Sequence, residues 1–273
     1  MKVARQSLPN DFRIPQVVGR IQRRQGHWEE STHNLEHAVE LNPRDSPTTV
    51  EVALNYTSLR RYAELKSALA RTLTVFLNDL NTRIWPAYVD LQVKADTGPL
   101  HQMLDSIRAT NTAAMPGIAE FSLACALAER DPTVAKNALD AHQENSIDLG
   151  REVLFSRPLV EGLIARMRKD ESKARSAFVV ARAEQQKIVQ AQPDDSQALG
   201  LLALIDAGLG RKEDALREGR RAVELLPAEK DAVDGVRMVA NLAMIAAWVG
   251  DRDLAFEQLE SIIRLPSPLA MVG

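Results

Sequence analysis

The segment His33-Asn34-Leu35-Glu36-His37 places two histidines four residues apart, with a glutamate between them. On one face of a helix such a pair can chelate zinc, and the H-x-x-E-H pattern occurs in one class of metalloproteases. Leu35 and Ala38 mark the buried face of this helix, so we expect His33 and His37 to point toward solvent. No pattern specifies the third ligand or the cleft that a peptidase needs. A metal-binding hydrolase that uses His33, Glu36 and His37 is therefore the alternative reading, and we predict no catalytic residue and no metal site.

Two further features invite a chemical interpretation. Gly208-Leu209-Gly210 follows no strand and precedes no G-K-[ST] sequence, so we expect a turn between helices and not a phosphate loop. Cys125 is the single cysteine and lies in the apolar run Phe121–Leu127, which predicts a small buried side chain. A lone cysteine excludes a disulfide within the chain and suits a reducing compartment. We predict a protein that is not an enzyme and needs no cofactor.

The composition is that of a folded, nearly neutral protein. The 273 residues are 45% hydrophobic and 26% charged, and the 34 basic and 37 acidic residues leave a net charge of -3. This balance gives no electrostatic reason to expect nucleic acid. The apolar stretches are too short for a bilayer, and residues 1–12 lack the apolar core of a secretory signal. We expect a cytoplasmic protein without membrane or nucleic-acid partners.

Small and large residues recur along the whole chain at intervals of 34 to 41 residues. The recurring anchor positions are Ser31, Leu65, Pro99, Ala135, Ala174, Ala215 and Ala255. Twelve residues before the anchors lie Gly19, Ala53, Ala87, Leu123, Gly162, Ala203 and Ala243. Four residues after the anchors lie Leu35, Leu69, Met103, Leu139, Phe178, Gly219 and Leu259. Two helices pack closely where one offers a small side chain and the other fills the gap, so each period predicts one helix hairpin.

The predicted fold is all-α: a superhelical array of about seven antiparallel helix hairpins in a single domain over residues 1–273. The units are residues 12–45, 46–79, 80–113, 112–145, 155–193, 196–227 and 236–266. Gly26, Gly210 and Gly250 stand five residues before an anchor, where a turn between helices needs a permissive backbone. Asp194 with Gln197 predicts a capped helix start. Val and Ile do not cluster into alternating runs, so strands are hard to find in the sequence.

The segments Val18–Pro43 and Leu202–Pro227 resemble the tetratricopeptide repeat, and weaker similarity covers nearly the whole chain. This resemblance implies an α-solenoid that binds other proteins. Arg211–Pro227 and Trp248–Pro268 are similar to the tetratricopeptide tail of multidomain bacterial proteins that carry a kinase, winged-helix or cyclase domain. The resemblance implies a regulatory scaffold in bacterial signalling or transcription control. Both ends look cut from a longer array, and exposed ends make a homodimer plausible; sedimentation as a monomer at high concentration would count against it.

In such arrays the first helix of each unit lines the concave groove. The predicted groove residues are Arg13, Arg20, Arg23 and Arg24 in the first unit, Leu159, Leu163, Leu201 and Leu204 in the middle, and Arg237, Asn241, Met244 and Trp248 in the last. Arginine pairs bidentately with carboxylates, so an acidic and hydrophobic peptide would fit. The alternative is that Arg20, Arg23 and Arg24 are a solvated helix face. An RNA-binding repeat would need a groove that stays basic along its length, which the apolar middle argues against.

Overall fold

The computed structural model describes residues 8, 10–75, 80–111, 114, 116–149 and 154–267, except for the side chains of 81 and 92. Within these residues the chain forms fourteen α-helices and two short strands. The helices are α1 Arg13–Arg24, α2 Trp28–Leu41, α3 Ser46–Ser58, α4 Tyr62–Val75, α5 Leu80–Lys94, α6 Gly98–Thr110, α7 Ala119–Ala128, α8 Pro132–Ala141, α9 Arg157–Met167, α10 Glu171–Ala191, α11 Ser196–Gly208, α12 Lys212–Leu225, α13 Asp234–Trp248 and α14 Arg252–Ile262. The strands are β1 Ser146–Asp148 and β2 Leu154–Ser156.

Many of the described helices pack against a neighbour in sequence. Direct packing joins α1 to α2, α3 to α4, α7 to α8, α9 to α10 and α11 to α12 as hairpins, and α2 to α3 and α10 to α11 as contacts between successive hairpins. Residues of α13 and α14 meet in one hydrophobic cluster with α11 and α12. The predicted fold class, an all-α solenoid of tetratricopeptide-like hairpins, is confirmed.

The chain divides into two compact units, which are described separately. Among the described residues, the first unit contains those within 1–86, 227–237 and 264–267, and the second contains those within 87–226 and 238–263. Hairpins of the predicted kind occur in both: α1 with α2 in the first unit, and α9 with α10 and α11 with α12 in the second. A single domain over residues 1–273 stays a prediction.

The turns inside the hairpins share one backbone conformation. Gly26, Gly210 and Gly250 have φ of +79°, +74° and +80°, in the left-handed region, as the sequence predicted. At the equivalent position of three other hairpins, Arg60, Arg130 and Lys169 adopt the same region, which the sequence did not indicate. The following amide closes the turn onto the carbonyl five residues earlier, as in Arg211 N–H to Asp206 O (2.9 Å). The turn geometry is thus set by the helix end and not by glycine alone.

The small and large positions meet across the hairpins as their spacing predicted. A Cβ atom on Gly19 would lie 2.7 Å from Cγ of Leu35, so only glycine lets α1 and α2 approach this closely. In the fifth hairpin, which is formed by α9 and α10, a Cβ on Gly162 would lie 2.5 Å from the ring of Phe178. The other edge of that ring faces Gly208 of α11, where a Cβ would lie 3.0 Å away. Phe178 therefore fills a gap between the helices on either side of it.

Two details of the third and sixth units differ from expectation. Pro99, which interrupts the anchor series, lies in the first turn of α6, where its missing N–H removes no helical hydrogen bond. The left-handed residue before it is Ala95, one position out of register with the other hairpins. The predicted cap Asp194 was wrong by one residue, because Asp195 accepts hydrogen bonds from the amides of Gln197 and Ala198. The helix starts at Ser196 in consequence.

The described residues contain one short two-stranded ribbon, which no sequence pattern indicated. β1 and β2 pair antiparallel, with Ile147 opposite Phe155. Ile147 is buried in a cluster with Leu123, Leu139 and Ile164, which explains why this segment is extended. A helix would not present successive residues to opposite sides in this way. The ribbon links the fourth hairpin to the fifth.

We expect Gly162→Ala to destabilise the protein by about 1–3 kcal/mol, because its methyl group would overlap the Phe178 ring. The ring is 0% exposed and is also held by Gly208, so it has little room to move. This cost should exceed the gain of about 1 kcal/mol that alanine brings to a helix interior. Urea unfolding followed by circular dichroism measures the difference.

Gly117→Ala is the matched control, since nothing lies within 4 Å of a Cβ at that position. In the Phe178→Leu background the same Gly162→Ala change should cost less, giving a measurable coupling energy between the two sites. An equal loss of unfolding free energy in both backgrounds would show that overlap with the Phe178 ring is not the cause of the destabilisation.

Candidate functional site

The predicted basic residues of α1 form ion pairs with acidic residues of the same chain. Arg20 donates to both carboxylate oxygens of Glu51 on α3, with distances of 2.5 to 3.0 Å. Arg23 lies 3.4 Å from the same carboxylate and 3.4 Å from Oδ1 of Asn55. Glu51 is buried, so two arginines neutralise one desolvated negative charge. The arrangement stabilises the contact between the first and second hairpins.

Arg24 and Arg237 both pair with Asp234. Nη1 of Arg24 lies 2.6 Å from Asp231 and 2.5 Å from Asp234, although Arg24 is more than 200 positions away from both in sequence. Arg237 donates to the other oxygen of Asp234. The amide of Ala232 also donates to the carbonyl of Arg24 (2.8 Å). These bonds hold the end of α1 against the segment that starts α13, within the first compact unit.

The remaining predicted basic residue, Arg13, is exposed and pairs with Asp11 at the start of α1. All five predicted arginines thus have an acidic partner inside the chain. These partners already offset much of the positive charge that an acidic ligand at this surface would meet. The apolar part of the predicted groove is consequently the better candidate for an unoccupied surface.

The apolar candidates lie in the second unit on α9, α11 and α13. Leu163, Leu201, Met244 and Trp248 are each partly exposed and pack against two hydrophobic clusters. We call these four residues the α9–α11–α13 face. Asn241 is also partly exposed, and its amide lies near Gly200 of α11. Leu159 and Leu204 were predicted in the groove but are buried in the clusters below the face.

A residue that sequence reasoning missed covers part of this surface. Phe155 of β2 is partly buried and packs against both clusters as well as the core beneath the ribbon. The ribbon is fixed at its base by Arg157, which donates to the carbonyls of Leu139 (3.0 Å) and Glu144 (3.2 Å). Tyr88 donates to the carbonyl of Leu149 (2.8 Å). An extended segment with an aromatic side chain therefore rests on the helices of this face.

Trp248, one of the predicted groove residues, is stacked under an arginine. The guanidinium carbon of Arg166, on α9, lies 4.3 Å from the Trp248 ring centroid. This cation–π contact joins α9 to α13 and leaves the ring partly exposed. The sequence contains one sign of a strand at Phe155, the apolar triplet Val153-Leu154-Phe155 before Pro158. Three residues are too few for a strand assignment.

The histidine pair on α2 lacks the surroundings of a zinc peptidase. His33 and His37 are exposed, and His37 lies 3.3 Å from Glu40. The carboxylate of Glu36 accepts a hydrogen bond from the Tyr56 hydroxyl and so faces the neighbouring helix. In the described part of the chain, the group of three His, Cys, Asp or Glu ligands near enough to share one ion lies elsewhere, on α6 and α7.

A buried pair of carboxyl groups lies between α11 and α12. Asp206 is fully buried and pairs with Arg182 of α10 (2.6 Å), while Glu218 of α12 hydrogen-bonds to Asp206. Burial, and next the negative charge of Asp206, raise the pKa of Glu218 to about 7. Oε2 of Glu218 is buried and accepts no hydrogen bond from a described residue. At acidic pH Glu218 is therefore protonated and donates to Asp206.

We expect this glutamate to make stability depend on pH. The folded state holds the Glu218 proton more tightly than the unfolded chain, whose glutamate pKa is near 4.5. Its contribution is complete below pH 4.5, falls as the pH rises, and is lost above about 7, with a slope of at most about 1.4 kcal/mol per pH unit.

Urea unfolding between pH 5 and 8 should show this decline in the wild type and not in Glu218→Gln. The exposed Glu213→Gln on the same helix is the control and should keep the slope. An equal slope in the Glu218 variant would assign the decline to other groups.

Comparisons with known proteins identify no family. No family model matches the sequence, and no curated protein matches it. Among solved structures, the crystal structure of PilW, described as a widely conserved type IV pilus biogenesis factor, aligns over 92% of this chain and 93% of that chain. The identity is 13% and the TM-score is 0.36. A similarity at this level shows neither a shared family nor a shared function. None of the helices in the described residues combines the length and apolarity needed to cross a bilayer.

Proposed function

We propose that this chain is a non-catalytic protein-interaction module that binds an extended hydrophobic segment of a partner protein on the α9–α11–α13 face. The observation that carries the proposal is Phe155. A side chain from an extended strand already packs on this surface, against the clusters below all three helices. This packing supports the proposal that an extended peptide places apolar side chains on the same face.

Four large side chains remain available beside Phe155. Leu163, Leu201, Met244 and Trp248 keep part of their surface in water, and each would contribute to affinity when covered. Tryptophan is among the residues that contribute most at interfaces, and methionine adapts to different ligand side chains. The face is carried by rigid helices, so little conformational entropy is lost on binding.

The proposal also includes the predicted acidic residues of the ligand and the predicted regulatory role. Acidic residues in the ligand would meet Arg20 and Arg24 on guanidinium groups that already pair with carboxylates of the chain. A regulatory role in a bacterial, cytoplasmic signalling protein rests on the resemblance to tetratricopeptide tails alone.

Self-association is a second candidate function, favoured by Phe256 of α14, which is 64% exposed. Sedimentation that shows only monomers at high concentration would contradict it.

Selection from a random peptide library displayed on phage tests the binding face. We expect enriched peptides with two or more large apolar residues, and binding weakened at least about tenfold by Trp248→Ala and Met244→Glu. Protein labelled with 5-fluorotryptophan should show a shift of the ¹⁹F signal that Trp248→Phe removes. Both readouts use the full chain.

Val180→Glu is the matched control, because Val180 is an exposed apolar residue on α10 and packs against neither cluster of the face. It should leave peptide binding unchanged. A selection without enriched peptides, or enriched peptides that bind both Met244→Glu and Trp248→Ala as well as the wild type, would refute the proposed face.

A further inference from the structure

Three side chains with different metal-binding atoms converge where α6 meets α7. His101 lies on α6, Cys125 lies on α7, and Glu129 follows the last residue of α7. One ligand atom from each lies within 4.8 Å of the other two. Cys125 and Glu129 are four residues apart and so share one helical face. His101, the third of these side chains, comes from the preceding repeat.

The imidazole of His101 stands between two carboxylates. Nδ1 lies 3.1 and 3.2 Å from the oxygens of Glu129, and Nε2 lies 3.2 Å from Oδ2 of Asp105. A neutral imidazole has one N–H and can donate to only one of them. A cation bound at Nδ1 would let the neutral ring contact a ligand on each side. Asp105 suits this arrangement, because a carboxylate that accepts from Nε2–H leaves the Nδ1 lone pair free for a metal.

The sulfur of Cys125 faces the same point from inside the protein. Cys125 is 3% exposed, and its thiol hydrogen-bonds to Glu129. Burial, and next the charge of Glu129, raise the pKa of this thiol to about 12, so it is protonated and unreactive without a cation. A thiolate and the Glu129 carboxylate would together balance the two charges of a divalent ion. Arg108 pairs with Asp105 (2.8 Å) and offsets that third negative charge.

We propose that His101, Cys125 and Glu129 bind Zn²⁺ through Nδ1, the thiolate and the carboxylate, with Asp105 as the residue that positions the imidazole. Mixed nitrogen, sulfur and oxygen ligands select zinc over magnesium or calcium, which prefer oxygen alone. Ligand atoms of tetrahedral zinc lie about 3.3–3.8 Å apart, given bond lengths of about 2.0–2.3 Å. The separation of Nδ1 from the Glu129 oxygens is already close to this value, and the sulfur lies within 4.8 Å of both ligand atoms.

Binding would cross-link the third and fourth hairpins. The ligands come from α6 and α7, which belong to successive repeats. His101 is 49% exposed at its side chain, so an ion can enter from solvent. Three protein ligands leave a fourth position for water or for a ligand of a partner. The ion would stabilise the folded state by mass action and release the thiol proton.

The test begins with protein stripped of metal by a chelator and kept reduced with a phosphine. We expect one Zn²⁺ per chain in calorimetric titration, and Co²⁺ should give a thiolate-to-metal charge-transfer band in the near ultraviolet. Cys125→Ser and His101→Asn should each weaken Zn²⁺ binding by at least about 10- to 100-fold, and Asp105→Asn by about tenfold. Glu129→Gln changes a residue that is exposed overall and should also weaken Zn²⁺ binding, which tests the site even if the Cys125 variant unfolds.

His33→Ala with His37→Ala is the control, because these exposed histidines are the other place where a divalent ion could bind. This variant should bind Zn²⁺ and give the Co²⁺ band as the wild type does. No Zn²⁺ binding by the wild type would overturn the proposal. So would binding that survives the changes at His101, Cys125 and Glu129 and disappears with the His33 and His37 pair.

Discussion

The contact of Phe178 with two glycines is the constraint on which the packing of the fifth and sixth hairpins depends. Its fully buried ring lies against Gly162 of α9 and Gly208 of α11, and even one methyl group at Gly162 would overlap it. Because the ring belongs to α10, this contact joins three consecutive helices. A hairpin of this kind cannot bury its apolar face alone, so the next hairpin completes its core. The same arrangement, with Gly19 and Leu35, joins α1 to α2.

The candidate binding face follows from this packing. Leu163 and Leu201 pack against the cluster that contains Phe178, Met244 and Trp248 pack against the neighbouring cluster, and all four keep part of their surface exposed. In the first unit the charged positions of α1 serve a different purpose, because Arg20, Arg23 and Arg24 are paired with buried carboxylates. Apolar surface is thus left for a ligand while the charges stabilise the fold.

The sequence predicted those features that depend on residues at fixed spacing. Small residues opposite large ones, and glycine in three of the turns, are steric requirements that leave a visible pattern. Arg60, Arg130 and Lys169 left none, since the helix end imposes their left-handed conformation whatever the side chain. The β1–β2 ribbon was missed because three-residue strands are too short to show alternation. The pairing of Arg24 with Asp231 joins residues that no local pattern relates. The same is true of His101 and Cys125, which become neighbours only when α6 packs on α7.

Native-state hydrogen exchange of the Phe178→Ala variant tests most directly whether the ring holds successive hairpins together. If Phe178 joins α9, α10 and α11, the amides of all three helices should lose protection together, while those of α1 and α2 keep theirs. Loss of protection confined to α10, with α9 and α11 as protected as in the wild type, would contradict the account.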